Sequence, residues 1–337
     1  MAKPTLILHA GLQKTGTTAI QNALAGDRAR LAGHGVHYPA VPRLTKGPYA
    51  NHLALFRRLA ARDFVSRARA QRALARLPQD TPVVLSAENV CRLALPGQGT
   101  LRARQLLFLQ RIHDLLPHHK VTPLLYLRRP DAFAQALYKE AVARGQQSAK
   151  AGFADFIARQ DARFDFPALL QRFEAAFGMV SAVGYEAASE TGLLDDFYGR
   201  IRVPAPGQDG GARARRSLSG QGMIWLRQHL IKRRAGHRAR VLFATREVGA
   251  QVLAQRPGGG LWPDRASFDA FCERHRASFD LPMCEAQPGP WQNPAPTWSP
   301  EDHAQVDQAF LSWRAENAGL LRKRARLRLA FHEPDPV

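Results

Sequence analysis

A chain of 337 residues with 45% hydrophobic side chains is long and apolar enough to build a full core, as one large α/β domain or two modest ones, so a disordered polyelectrolyte is excluded despite the net charge of +20. Only 8 of the 48 basic residues are lysine, and the arginines alternate with alanine in stretches such as RARAQRALARL (67–77). No zinc-finger or RNA-recognition signature accompanies them, so the charge reads as solvated helix faces and anionic small ligands rather than dedicated nucleic-acid binding. Cys91, Cys272 and Cys284 are odd in number and lack CxxC spacing, which argues against a disulfide framework or a zinc site and for reduced thiols. The apolar start is too short for a signal peptide, and no run approaches the roughly 20 apolar residues of a membrane span, so a soluble cytoplasmic chain is expected.

Residues 5–21, TLILHAGLQKTGTTAIQ, are the first informative stretch. Leu6, Ile7 and Leu8 form a short apolar run that fits a parallel strand buried on both faces, and His9, Ala10 and Gly11 end it. After Gly16 come Thr17 and Thr18, both helix-capping types, with Ile20, Ala23 and Leu24 at helical spacing. The amides of such a helix start carry the positive end of the helix dipole and suit an anion. Gly11 and Gly16 keep the glycine spacing of the nucleotide-triphosphatase loop G-x-x-x-x-G-K-[ST], but Thr17 stands where the lysine belongs and Lys14 lies two residues before Gly16. From the front of the loop a lysine reaches over the distal phosphate or its substitute. An ordinary strand-to-helix turn with an incidental lysine is the alternative.

The run HAGLQKTGTTAIQ resembles the 5′-phosphosulfate loop of sulfotransferases that use 3′-phosphoadenosine 5′-phosphosulfate (PAPS), in particular the bacterial and carbohydrate-modifying branches, where a KTGTT core follows the first strand. The resemblance implies a P-loop-like central parallel sheet flanked by helices and a donor held by Gln13, Lys14, Thr15, Gly16, Thr17 and Thr18. It implies no metal.

Further along, HGVHYPA (34–40) reads as a short extended piece and residues 45–51 as a polar loop leading to a helix that begins near His52. A histidine at a helix start is usually exposed; the resemblance gives His52 a second reading, as a site residue, because related bacterial enzymes often carry a histidine after a YP-containing segment. TPVVLSAEN (81–89) is the second strand, with Val83, Val84 and Leu85 apolar and a polar end at Ser86 and Glu88. In open α/β sheets the ligand crevice lies outside the carboxyl ends of the strands. Glu88 is therefore either a general base for an acceptor hydroxyl or a helix-start or ion-paired carboxylate, and the resemblance favours the base.

Residues 100–117 are helical, with Leu106, Leu107, Leu109, Ile112 and Leu116 on an apolar face. In residues 121–142, VTPLLYLRRPDAFAQALYKEAV, Leu124 to Leu127 form a strand, Arg128 and Arg129 stand at its carboxyl end, and Pro130 with Asp131 opens a helix. Two arginines there make an anion site or, alternatively, a solvated strand end. In the sulfotransferase pattern an arginine leaving this strand and a serine eight positions later bind the donor's 3′-phosphate. Arg128 matches the arginine, Ala136 replaces the serine, and Tyr138 keeps an aromatic. Two helical patterns within 152–177, a fourth strand in MVSAVGYE (179–186) ending in a polar turn, and a helix at 193–201 complete a βαβ series and a mainly parallel sheet.

A Pro/Gly-rich and then basic stretch, 203–217, reads as a flexible linker or as an arginine loop closing over the donor. The SLS element that begins at Ser217 is similar to one in the same bacterial families, which assigns Arg213, Arg216 and Ser217 to the donor. The rest is helical, broken near Gly258 and by a Pro/Trp-rich loop over 287–300, and is expected to form a cap on the acceptor cleft. The basic amphipathic tail, 320–334, is a surface helix in preference to one that contacts a membrane peripherally.

The expectation is a sulfotransferase core over 1–205 with a basic loop and helical cap over 206–337. It would transfer a sulfuryl group from PAPS to a hydroxyl-bearing acceptor, carbohydrate or glycoconjugate, anionic glycans included. Lys14 and Glu88 would be catalytic with His52 as the reserve base, and Arg128 would hold the 3′-phosphate. A P-loop-type nucleoside or sugar kinase, and a non-catalytic basic protein that binds a nucleotide or nucleic acid, are the rivals. Thr17 in the lysine position speaks against the kinase.

Overall fold

A computed structural model describes residues 3–40, 51–206, 218–229, 234–284, 288–294, 297–319 and 321. The chain forms two compact units, each assembled from separate segments. The first comprises Met1–Phe133, Ala162–Ala214 and Arg274–Pro288, and the second Ala134–Asp161, Arg215–Glu273 and Gly289–Val337.

The first unit is α/β. Four strands, β1 (Thr5–His9), β2 (Val83–Ser86), β3 (Lys120–Leu127) and β4 (Ser181–Gly184), form an all-parallel sheet in the order β2-β1-β3-β4, flanked by helices. His9 stands opposite Ser86 on one side and Leu124 on the other, so the strands bearing the predicted site residues end side by side. Their continuous apolar character follows from burial on both faces: every residue of β2 is buried, as are Leu124 to Leu127 of β3.

Alternation along the strands puts Val84, Leu124, Tyr126 and Val183 into one layer with Ile20 and Leu24 of helix α1 (Thr17–Gly26) and with Phe197 and Tyr198 of helix Leu193–Arg200. Tyr126 donates to Asp196 Oδ2 at 2.5 Å, which ties that helix to the sheet. Leu6, Leu8, Val83, Leu85, Leu125 and Leu127, pointing the other way, are equally buried. Helix Phe166–Phe177 packs on β3 and against helix Leu101–Asp114. Both are capped as their sequences dictate, by Asp165 accepting from the Ala168 amide and Thr100 from the Ala103 amide.

The structure differs from the sequence reading after the fourth strand. Residues expected as a polar turn instead form helix Tyr185–Thr191, directly after Gly184. A Cβ on Gly184 would lie 2.3 Å from the Met283 carbonyl oxygen, so the close approach that lets the strand pass straight into a helix admits only glycine.

In the second unit, helices Gly220–Gln228, Arg234–Thr245 and Pro300–Glu316 surround Trp225, Phe243 and Phe310, whose ring centroids lie 5.6 to 5.8 Å apart. Trp225 satisfies its indole N–H on Asp307 at 2.8 Å. Among the described residues, no helix is long and apolar enough to cross a membrane, and all three cysteines are free thiols.

Phe197 is fully buried and meets the His9 ring at 5.2 Å, so it links the sheet to its helical layer. Phe197→Ala should lower unfolding stability by about 3–5 kcal/mol. A urea titration with a loss under about 1 kcal/mol would contradict this packing.

Candidate functional site

Strand order defines where a ligand sits. From β1 the chain goes first to β2 on one side and then to β3 on the other, so the crevice outside the carboxyl ends of β1 and β3 is a topological switch point. The loop after β1 supplies Lys14 and the end of β3 supplies Arg128. The two meet: Arg128 Nη1 donates to the Lys14 carbonyl oxygen at 3.2 Å.

The loop is bent by two left-handed residues, Lys14 at φ 67° and Gly16 at φ 69°. For lysine that conformation costs of order 1 kcal/mol. It exposes the Lys14 side chain. At Gly16 the positive φ favours glycine and a Cβ would lie 2.0 Å from Leu193 Cδ2; at Gly11 a Cβ would lie 2.5 Å from Thr17 Cγ2, so a side chain at either place would displace its neighbour. Thr15 is fully buried and donates its hydroxyl to the Leu12 carbonyl at 2.7 Å, closing the loop on itself. Gln13 accepts from Arg163 Nη2 at 2.8 Å. No side chain caps helix α1, and Thr18 is exposed in its first turn. Of the three threonines assigned to the donor, then, Thr15 and Thr17 commit their hydroxyls within the protein.

Thr17 donates to Glu88 Oε2 at 2.8 Å, and Asn89 Nδ2 reaches Oε1 at 3.3 Å. The Asn89 amide also donates to the Gly11 carbonyl at 3.0 Å, so the turn after β2 is fastened to the loop after β1. Lys14 and Glu88 thus stand on adjacent, mutually bonded loops.

Beneath them is a buried polar floor. His9 Nδ1 and Ser86 Oγ share a hydrogen bond of 2.9 Å, and Gln21 Nε2 donates to the same oxygen at 3.1 Å. Burial lowers the His9 pKa to about 3, so the ring is neutral.

His52 joins the same buried layer through Ser86. It is fully buried, and the Ser86 amide donates to its Nδ1 at 3.0 Å; the hydrogen is therefore on Nε2, which donates to the Pro39 carbonyl at 2.9 Å. Burial lowers its pKa to about 4. Both ring nitrogens being used, His52 joins β2 to the segment ending at Pro39 and presents no nitrogen for proton transfer. A histidine at a helix start gave no sign of this, because the bond to Ser86 spans 34 residues.

Of the arginine pair, Arg129 turns to Asp131 at 2.7 Å and its amide donates to Glu186 at 3.2 Å. Arg128 lies over the Tyr185 ring, 5.3 Å from its centroid, with Nε 3.5 Å from Glu186 Oε1, and keeps 28% of its side chain exposed. Burial raises the Glu186 pKa, against the nearby amide and arginines that lower it. Sequence reasoning missed Glu186 as a member of the site, although its place just past the end of β4 was the available signal. Tyr138, the retained aromatic, is buried and donates to the Ala149 carbonyl at 3.2 Å; Ala136 is likewise buried. Arg213, Arg216 and Ser217, with most of the predicted basic loop and tail, lie outside the described residues.

Comparison with protein-family models and with curated proteins gives no match to this chain.

Among the buried histidines, His9 and His52 make stability depend on pH most directly. Both are neutral in the fold and ordinary, near 6.5, when unfolded, so their contribution is present above pH 6.5 and is lost as pH falls toward 4. Glu186 acts in the opposite sense. Unfolding free energy should drop by about 3 kcal/mol or more between pH 7 and pH 4.5. An NMR titration in which both imidazoles protonate near pH 6.5 would refute the assignment.

Proposed function

We propose that the chain is a PAPS-dependent sulfotransferase, built on a P-loop-like sulfotransferase fold, that transfers a sulfuryl group to an acceptor hydroxyl of a carbohydrate or glycoconjugate. The observation that carries this reading is that Arg128, leaving β3, binds the backbone of the loop that carries Lys14, beside a helix start at the sheet's switch point. Lys14 and Arg128 are joined by a hydrogen bond beside a helix start that no side chain caps, where glycine leaves room for close approach. The lysine belongs to the front of the loop, as in the family that the sequence resembles. This arrangement fits a nucleotide with phosphate at both ends of its ribose.

In this reading the amides of the first turn of α1, with Thr18, hold the 5′-phosphate, and Arg128 turns from Glu186 to the 3′-phosphate. Thr15 and Thr17 act through the loop, one closing it and the other aiming Glu88. The acceptor oxygen attacks sulfur in line, the bond from sulfur to the bridging oxygen breaks, and its electron pair stays on the 5′-phosphate. Lys14 stabilises the charge developing there. Glu88 takes the hydroxyl proton, its carboxylate held by Thr17 and Asn89. These roles use no metal.

One observation favours a second reading, a nucleoside or sugar kinase. Thr17 sets a hydroxyl against the strand-end carboxylate of Glu88, and hydroxyl and carboxylate are the groups that hold magnesium in nucleotide-triphosphatase loops. A non-catalytic nucleotide-binding protein would also use the cradle, but would turn over neither donor.

Thermal shift separates the two enzymes. 3′-Phosphoadenosine 5′-phosphate should stabilise the protein more than ATP with magnesium, by roughly 2.7 kcal/mol at a hundred times its dissociation constant. Equal shifts, or a larger one with ATP and magnesium, would sink the sulfotransferase reading.

Binding and chemistry should also divide between residues. Arg128→Ala should weaken donor binding, because the 3′-phosphate is unchanged in the reaction, whereas Glu88→Gln should lower turnover by about a hundredfold or more with donor binding kept. A nearly fully active Glu88→Gln enzyme would remove the carboxylate from the chemistry.

A further inference from the structure

Two buried atoms face each other beyond the ends of β3 and β4 without forming a hydrogen bond. Arg128 Nε and Glu186 Oε1 lie 3.5 Å apart, and among the described residues neither has a hydrogen-bond partner. The bonds around them are made. Arg128 Nη1 donates to the Lys14 carbonyl and the Arg129 amide donates to Glu186 Oε2, each at 3.2 Å, while the Arg128 guanidinium lies over the Tyr185 ring. Glu186 thus keeps one oxygen fixed by the backbone and turns the other to a cation that is loosely held.

The remaining charges nearby are engaged elsewhere. Arg129 is committed to Asp131 at 2.7 Å, and on helix Leu193–Arg200 Asp196 accepts from Tyr126 and Arg200 while Asp195 lies against Gly192. The turn Pro282–Cys284 brings the buried Cys284 thiol to β4, and the loop after β1 carries Lys14. Burial already favours the neutral Glu186 carboxyl and raises its pKa, against the amide and the two arginines. A phosphate that takes Arg128 removes a cation from Oε1 and sets a second anion beside it. Two anions sharing one half-buried place resolve the conflict by holding a proton between them. A proton on Oε1 converts that oxygen from an acceptor into an O–H donor.

We propose that Glu186 takes up a proton from solvent when a phosphate binds Arg128, so that the neutral carboxyl donates to that phosphate and makes the site selective for a nucleotide with a 3′-phosphate. The inference rests on the placement of the 3′-phosphate in the sulfotransferase reading.

Calorimetric titrations with 3′-phosphoadenosine 5′-phosphate and with adenosine 5′-phosphate test it between pH 7 and pH 8.5. In that range phosphate monoesters, with a second pKa of about 6, are dianions, and His9 and His52 are neutral. Each titration is run in two buffers of different ionisation heat, which counts the protons taken up. With 3′-phosphoadenosine 5′-phosphate the wild type should take up as much as about one proton and bind several-fold more tightly at pH 7 than at pH 8.5, as linkage requires. Adenosine 5′-phosphate should show neither effect. Glu186→Gln stays neutral throughout and still accepts from the Arg129 amide. It should bind 3′-phosphoadenosine 5′-phosphate at least about fivefold more tightly than the wild type at pH 8.5, with no proton uptake.

The wild-type comparison of the two nucleotides decides the matter by itself, should the variant be unstable. Proton uptake with 3′-phosphoadenosine 5′-phosphate no greater than with adenosine 5′-phosphate would overturn the role of Glu186 and leave a preference for the first nucleotide, and so the donor site, intact. Equal affinity for the two nucleotides at every pH would overturn that role together with the placement of the 3′-phosphate. Proton-coupled, selective binding by a protein that turns over no PAPS would fault the sulfotransferase reading and support the role of Glu186.

Discussion

The left-handed bend at Lys14 and Gly16 is the constraint on which the site depends. It turns the chain leaving β1 into a helix that no side chain caps, and it places the Lys14 carbonyl where Arg128 donates to it. Glycine suits position 16 because of its positive φ, and a Cβ at 11 or 16 would push against Thr17 or Leu193. Lys14 adopts its strained conformation without that excuse, which is a pattern common at ligand sites. The Thr15 bond to Leu12 and the Asn89 bond to Gly11 hold the bend from inside and from the neighbouring strand.

Below the bend, polar groups are buried in pairs rather than excluded. Ser86 joins His9 and Gln21 through its hydroxyl and His52 through its amide, so one strand-end residue fixes two histidines and a helix. Neutral rings serve well here, because a charge at such depth would carry a desolvation penalty of several kcal/mol. The loops that carry Glu88 and Lys14 are tied by bonds of their own, Glu88 by Thr17 and Asn89, and the Lys14 loop by Thr15 and the Asn89 amide.

At the rim the balance reverses. Arg128 is held between Glu186, the Tyr185 ring and the Lys14 carbonyl, a set of weak partners that an anionic ligand can replace. Arg129, by contrast, is fixed on the nearly buried carboxylate of Asp131, only 3% exposed, and has a structural part. Two adjacent arginines thus differ in how firmly the carboxylates that reach them hold them, Glu186 at 3.5 Å from Arg128 and Asp131 at 2.7 Å from Arg129.

The sequence by itself determined the four parallel strands of the first unit and the loop and helix that follow the first of them, because parallel strands buried on both faces leave unbroken apolar runs and because glycine, proline and capping residues mark the ends of elements. It also placed Lys14, Glu88 and Arg128 at strand ends, where a doubly covered sheet gathers its ligands. Local pattern could not tell that His52 is a buried strut, that Thr17 turns to Glu88, or that Glu186 stands against Arg128. Those facts depend on hydrogen bonds and ion pairs between residues 34 to 71 positions apart. Only the register of the parallel strands decides which of the chain's many polar side chains face one another, and only burial decides which of them keep a charge.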